Sequence, residues 1–190
     1  MLSSPVIYIG DALKEDWFWT RENELLRKIE KGDASCWEEL AAMYYDDILR
    51  YCLYHTRDRE TAEDAVQETF LKVIRYFPRY KNKGKFRAFL YKVASNTCVD
   101  TWRQSREMHL TEQIEYQEAG FAHSESEEGF RQIVEMLPED QREVIYLRFA
   151  HDLTLRETAK VLGIPMRTVQ SRQRAGLKKI EEKIGKEEAR

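Results

Sequence analysis

Apolar residues along this chain recur every three or four positions, as helices with one buried face require, and nowhere alternate with period two for long. There is no Asn-Gly or Asp-Gly hairpin signal either, so the pattern predicts an all-α fold. Helices are expected over about 21–31, 34–56, 61–77 and 86–106, then over about 131–136, 139–149, 155–162 and 166–184. The breaks fall at Gly32-Asp33, Arg57-Asp58-Arg59, Pro78 to Gly84, Pro138, and Gly163 to Pro165. Two helix starts are marked by Thr61-Ala-Glu-Asp64 and Thr154-Leu-Arg-Glu157, the second a capping box in which Glu157 returns a hydrogen bond to the Thr154 backbone. Val6 to Ile9 reads as a loosely held extension.

One stretch breaks the pattern. Residues 107–130 hold seven glutamates, no Lys or Arg and few apolar side chains, too little to offset the entropy of ordering them, and are expected to form an acidic linker. The expected organisation is an extension over 1–20, a helical domain over 21–106, the linker over 107–130 and a second helical domain over 131–190. With 42% hydrophobic residues, eight glycines and four prolines in 190 residues, the chain can bury a real core. No run of about 18 apolar residues occurs, so no membrane insertion is expected. Asp11, Lys14, Glu15 and Asp16 interrupt the apolar start, so no export signal is visible. Cys36, Cys52 and Cys98 are irregularly spaced and argue against a disulfide framework. Together these features predict a cytoplasmic protein.

A net charge of −3 conceals an alternation along the chain. Residues 33–71 carry three basic and ten acidic side chains, whereas residues 72–106 carry ten basic ones against Asp100 alone. After the acidic stretch, residues 164–180 carry five basic side chains and no acidic one. Two basic patches separated by an acidic spacer suit a polyanionic partner gripped at two places. The spacer itself is repelled by DNA unless held against a basic patch of its own chain, which would mask that patch.

The most specific local motif runs from Thr154 to Arg174. Ala159 lets two helices approach, Gly163 permits a tight turn, and Val169 anchors the second helix on the first, which is a helix-turn-helix. Its second helix presents Arg167, Gln170, Ser171 and Arg174, residue types that read base edges or hold phosphates in a major groove. In the other basic patch, Tyr76, Phe77, Tyr80, Phe86, Phe89, Tyr91 and Trp102 are interleaved with the cations, the combination that binds single strands. Phe86, Phe89, Leu90, Val93 and Ala94 also fit a buried stripe, while Asn96, Asp100 and Arg103 lie on the opposite face. Upstream, Ala62, Ala65, Val66, Phe70, Val73 and Phe77 form one stripe. Asp64, Gln67, Glu68 and Leu71 form the other, a polar face with one leucine that suits docking on a partner helix. Within the last helix, Gly176 costs about 1 kcal/mol relative to Ala, so a close packing contact is expected there.

Lys31-Gly-Asp33, Trp37, Leu40 and Tyr44, then Ala62-Glu-Asp-Ala-Val-Gln-Glu-Thr-Phe70, Phe86 to Asn96 with Asp100 and Arg103, and Leu137-Pro-Glu-Asp-Gln-Arg142 before the helix-turn-helix, together resemble bacterial sigma factors of the extracytoplasmic-function type. The resemblance covers about 25–106 and 131–184. It implies a non-enzymatic initiation subunit, without cofactor or metal, whose partners are core RNA polymerase, promoter DNA and an anti-sigma factor of the kind that often restrains this class. It further implies core-polymerase binding by Asp64, Gln67, Glu68 and Leu71. The −10 element is assigned to Lys81, Lys83, Lys85, Phe86, Arg87, Asn96, Asp100 and Arg103, and the −35 duplex to Arg167, Thr168, Gln170, Ser171 and Arg174. A stand-alone helix-turn-helix regulator is the rival reading, and it leaves the first domain without a role. An enzyme is disfavoured because His55, His109, His123 and His151 are scattered and no glycine-rich phosphate loop is present.

Overall fold

The computed structural model describes residues 9–81, 84–108 and 125–188, and in these the chain is helical throughout, with no strand. The helices are α1 (Ile9–Glu30), α2 (Cys36–His55), α3 (Arg59–Tyr76), α4 (Phe86–Met108), α5 (Glu125–Glu135), α6 (Glu139–Phe149), α7 (Leu155–Leu162) and α8 (Met166–Glu188), with a 3-10 turn over Phe77–Arg79. None of them is long and apolar enough to cross a membrane.

Several boundaries differ from the sequence pattern, and α8 for one runs four residues past its expected end, to Glu188. Helix α1 continues about twelve residues upstream of the expected start, and Phe18 on that added length sets its ring edge-on to Tyr44 at 5.3 Å. Helix α3 starts at Arg59 and not at Thr61, because the Asp58 carboxylate accepts the Thr61 amide at 2.8 Å and acts as the cap. Helix α5 begins at Glu125, inside the stretch read as linker, while most of that stretch lies outside the described residues. The extension Val6 to Ile9 lies outside them too, except for Ile9.

In the first unit, α1 to α4 surround a core of Leu25, Leu26, Leu40, Tyr44, Ile48, Val66, Leu90 and Ala94. In the second, α5 to α8 enclose Val134, Leu137, Ile145, Leu147, Leu153 and Val161. The capping box is complete: the Thr154 hydroxyl accepts the Glu157 amide at 3.3 Å, and Glu157 accepts the Thr154 amide at 2.8 Å. Gly163 closes α7 with φ +68°, a left-handed geometry that glycine adopts without strain. Removing the cap by Thr154→Ala is expected to lower the stability of the second unit by about 1 kcal/mol. Thermal unfolding followed by hydrogen exchange in α7 checks this.

Gly176 is tightly packed, as its position demanded. A Cβ there would lie 2.9 Å from Ile145 Cγ1 and 3.6 Å from Leu137 Cδ1, so α8 can approach α6 this closely only with glycine.

The two units do not stand apart. Helix α7 packs along α4, and the buried apolar cluster runs from one unit into the other without a break. Where they meet, Tyr54 and Tyr146 stack at 3.7 Å, and Tyr51, Tyr91 and His151 meet edge to face.

Candidate nucleic-acid interface

Helix α3 buries Ala62, Ala65, Val66, Thr69 and Val73, which leaves its outer face as the pattern indicates. Asp64, Gln67 and Glu68 are exposed on that face, and Leu71 is 58% exposed, unusually high for a leucine beside so well filled a core. Ile74, one turn on from Leu71, continues this apolar strip at 43% exposure. The sequence reading missed Ile74, although its spacing of three from Leu71 was the available signal. An exposed apolar strip flanked by carboxylates is suited to a partner helix carrying apolar and basic side chains.

The basic loop and α4 separate into three groups. Lys81 and Lys85 are exposed before α4, and Lys83 lies outside the described residues. Phe86 is 1% exposed, with its ring against Tyr44, Tyr80 and Phe89, so the structure corrects its assignment to DNA: it is a core residue. The periodicity that made it a stripe residue prevailed over its place in the basic segment. Asn96, Asp100 and Arg103 share an exposed face, with Val99 and Trp102 beside them at 46% and 47% exposure. Lys72 reaches across from α3 to Asp100 at 3.4 Å and Glu68 at 3.7 Å, joining the two outer faces electrostatically. Between these groups, Arg87 and Lys92 point to the second unit. Arg87 donates to the His151 carbonyl, and Lys92 donates to the Val161 carbonyl at 2.8 Å.

On α8, Arg167, Ser171 and Arg174 are exposed at spacings of four and three, one face of the helix. Thr168 and Gln170 are partly buried at its edge. Arg172 turns inward to Asp140 at 3.1 Å, and Arg148 donates to Gln173 at 3.2 Å, so α8 is held to α6 on its inner side. That division leaves the outer arginines available for a groove.

The junction between the units is a buried polar cluster that sequence reasoning did not find. Tyr51 donates to Glu143 at 3.0 Å, His55 Nε2 lies 3.4 Å from the same carboxylate, and Tyr146 donates to the Arg50 carbonyl at 3.2 Å. Burial pushes the Glu143 carboxyl up, but the His55 charge and the hydrogen bonds outweigh it and hold it below its ordinary range. Burial pushes His55 down, while the Glu143 charge more than compensates and leaves it raised. The Tyr91 hydroxyl and His151 Nδ1 share a bond of 2.9 Å. Burial, followed by the charges of Arg50 and Arg87, pushes His151 down to about 3, so this imidazole is neutral near pH 7. No spacing rule links positions 51, 91, 143 and 151. Only the packing of one unit on the other brings them together.

An exposed acidic face on α3, a basic segment leading into α4 and a helix-turn-helix with outward arginines in one chain have the make-up of a DNA-binding protein. Family profiles match both parts: Sigma-70 region 2 over residues 40–107, and Sigma-70, region 4, over residues 127–180. The chain belongs to the sigma-70 family, in its extracytoplasmic-function branch, and directs promoter-specific initiation of transcription. It is 27% identical over 169 residues to the RNA polymerase sigma-H factor of Pseudomonas aeruginosa, covering 80% of this chain and 88% of that one. It is 29% identical to the RNA polymerase sigma factor YlaC of Bacillus subtilis, covering 80% of this chain and 95% of that one. Against the ECF RNA polymerase sigma factor BldN of Streptomyces coelicolor the identity is 31%, over 75% of this chain and 58% of the relative. Among solved structures, CnrH in complex with the cytosolic domain of CnrY superposes with a TM-score of 0.66 at 19% identity, over 87% of this chain and 97% of that one. The sigma factor RpoE in complex with the anti-sigma factor NepR, from Bartonella quintana, gives 0.60 at 19% identity, over 76% of this chain and 94% of that one. Both likenesses are likenesses of fold.

Proposed function

We propose that the three surfaces divide the work of initiation by residue. Asp64, Gln67, Glu68 and Leu71 dock on core RNA polymerase. Lys81, Lys83, Lys85, Arg87, Asn96, Asp100 and Arg103 hold the opened −10 element, and Arg167, Thr168, Gln170, Ser171 and Arg174 read the −35 duplex. Of the stretch 107–130, the part before α5 acts as the tether between the first domain, expected over 21–106, and the second, expected over 131–190 and extended upstream by α5 to Glu125. The chain contributes binding and no catalytic step or cofactor of its own, because bond formation belongs to the polymerase. It works in the cytoplasm, where promoter DNA is. An anti-sigma factor is a further partner on this reading, since the two solved relatives are described in complexes with CnrY and with the anti-sigma factor NepR.

The observation that carries the reading is the division of α8: its inner arginine is spent on Asp140, while Arg167 and Arg174 face outward on the second helix of a helix-turn-helix. Such a helix can lie in a major groove and contact base edges with its first turns. Opening the duplex costs a few kcal/mol per unstacked base. Stacking on rings returns about 1–3 kcal/mol per base, so a cationic aromatic surface held at the duplex can trap the open strand.

Run-off transcription with purified core polymerase and a genomic promoter library tests this reading. Discrete starts are expected only when the chain is added. Arg174→Ala is expected to lower transcript yield at those starts by about tenfold, the loss of one good groove contact at about 1–3 kcal/mol. Starts that are independent of the chain, or duplex binding by the chain with no recruitment of polymerase, would overturn it.

A further inference from the structure

Beside the buried polar cluster lie two thiols that the initiation activity does not use, Cys52 on α2 and Cys98 on α4. We propose that these two cysteines are an oxidisable pair, which a hydroperoxide converts into a disulfide that ties α2 to α4 and that thiol reductants reopen.

Geometry carries the first part of the argument. The two sulfurs share a contact of 3.7 Å although the residues stand 46 positions apart, and both are buried. A disulfide needs about 2.05 Å, so sulfurs that already face each other have only about 1.7 Å left to close. Cys36 stands apart from them. It begins the helix that carries Cys52, about 24 Å away along the axis, and its sulfur is bonded to Asp33 at 3.5 Å.

The surroundings carry the second part. A thiol buried among apolar side chains is inert, because burial disfavours the thiolate that reacts. Here an imidazole and a carboxylate stand close by. His55 follows Cys52 by three positions on α2, hence on the same face, and its Nε2 lies 3.4 Å from the Glu143 carboxylate. The bond with Cys52 holds the Cys98 thiol below its ordinary range; burial opposes this, the His55 charge adds to it, and the Glu143 charge opposes it. The same bond, with burial, pushes Cys52 up. The pair is therefore unequal, with Cys98 the sulfur that gives up its proton. Cys98 is also 4% exposed against 0% for Cys52, so a small oxidant reaches it first.

That inequality sets the order of the reaction. The Cys98 thiolate attacks the terminal oxygen of a hydroperoxide, the O–O bond breaks, and an alcohol leaves with the proton that Cys98 gave up; from hydrogen peroxide the alcohol is water. The Cys52 sulfur then attacks the Cys98 sulfenic acid, the S–O bond breaks, and water leaves with the Cys52 proton. Two thiols and one hydroperoxide become one disulfide, one alcohol and one water. The sulfurs lose two electrons and the peroxide oxygens gain them. A thiol waiting 3.7 Å away keeps Cys98 from climbing to sulfinic acid. The product encloses α3 in a closed loop of chain and fixes α4 to α2 at a point two residues from both Asn96 and Asp100. In a reducing compartment such a bond is transient and serves sensing, which separates this pair from a structural disulfide framework.

The test uses the reduced full chain and hydrogen peroxide in small excess, without DNA or polymerase, so that its outcome is separate from the promoter-binding reading. Free thiols are expected to fall from three to one and the intact mass by two hydrogens. Peptide mapping should link Cys52 to Cys98 and leave Cys36 open to alkylation, and dithiothreitol should restore all three thiols. Tryptophan fluorescence, which reports the first domain, should show an unfolding temperature raised by roughly 10 °C in the oxidised chain. Cys52→Ser should leave a Cys98 sulfenic acid that dimedone traps, whereas Cys98→Ser should give no adduct on Cys52. His55→Gln should slow the oxidation by about three- to tenfold and move the midpoint of its rate against pH upward, a shift that a merely structural role does not produce. Three thiols that persist in the folded chain, while the urea-unfolded chain oxidises, overturn the proposal. Oxidation confined to Cys36, or a disulfide that leaves the unfolding temperature unchanged, overturns it too. A dimedone adduct on Cys52 in place of Cys98 overturns the order of attack, and an unchanged pH profile overturns the role of His55.

Discussion

Replacing Leu71 by aspartate is expected to leave the free chain as stable as before and to lower its affinity for core RNA polymerase by about 30- to 100-fold, or about 2–3 kcal/mol. The two halves of this expectation come from one number. At 58% exposure, Leu71 contributes little to the core of the first domain, so an aspartate there remains solvated and folding changes by no more than about 0.5 kcal/mol. Bound to a partner helix, the same position would be desolvated, and a carboxylate without a counter-charge is strongly disfavoured there. Glu68 lies close by on the same face and would add like-charge repulsion at the site. Equilibrium binding to core polymerase, with thermal unfolding of the free chain alongside, makes the measurement. Unchanged binding would remove α3 from the interface. A joint fall of stability and binding would mean that Leu71 belongs to the core.

Gly176→Leu is expected to destabilise the second domain by about 3 kcal/mol and to abolish promoter-specific transcription, whereas Gly176→Ala should cost no more than about 1 kcal/mol. An alanine Cβ meets Ile145 Cγ1 at 2.9 Å, an overlap that costs energy, but it also gains about 1 kcal/mol of helix propensity over glycine. The longer side chain has the same overlap and no space beyond it, because Leu137 stands 3.6 Å from the same point. Helix α8 would have to leave α6, and the ion pair of Arg172 with Asp140 would go with it. All four tryptophans lie at or before Trp102, so their fluorescence reports the first domain alone, and hydrogen exchange in α6 and α8 reports the second. Loss of protection in α6 and α8 is the expected result. A leucine tolerated without loss of protection would show that the two helices do not pack in this way.

Much of the fold was legible because helices write their buried face at local spacing. The stripe Ala62, Ala65, Val66 and Val73 is buried as its periodicity required, and Thr154 with Glu157 forms the capping box that their spacing of three announced. Ends were read less well. Asp58 and Thr61 are equally good caps by type, and only the backbone trace selects Asp58. The exposed outer face of α3 and the outward arginines of α8 could also be inferred, since each needs only one helix to present it. Phe86 shows the reverse case. A phenylalanine in a basic segment serves equally as a base platform or as core, and the aromatic cluster around Tyr44 and Tyr80 decided for the core.

The amino-acid sequence by itself determined that this chain is helical, that its charges are segregated, and that one helix pair is a helix-turn-helix, because periodicity, charge and turn chemistry act over a few residues. Tertiary structure alone decided which cations are occupied. Arg87 and Lys92 look like their neighbours Lys81 and Lys85 in the sequence, yet they are bonded to carbonyls 64 and 69 positions away. Likewise Glu143 finds Tyr51 at a separation of 92 positions. Contacts of that length depend on how two folded surfaces meet, and no local pattern encodes them.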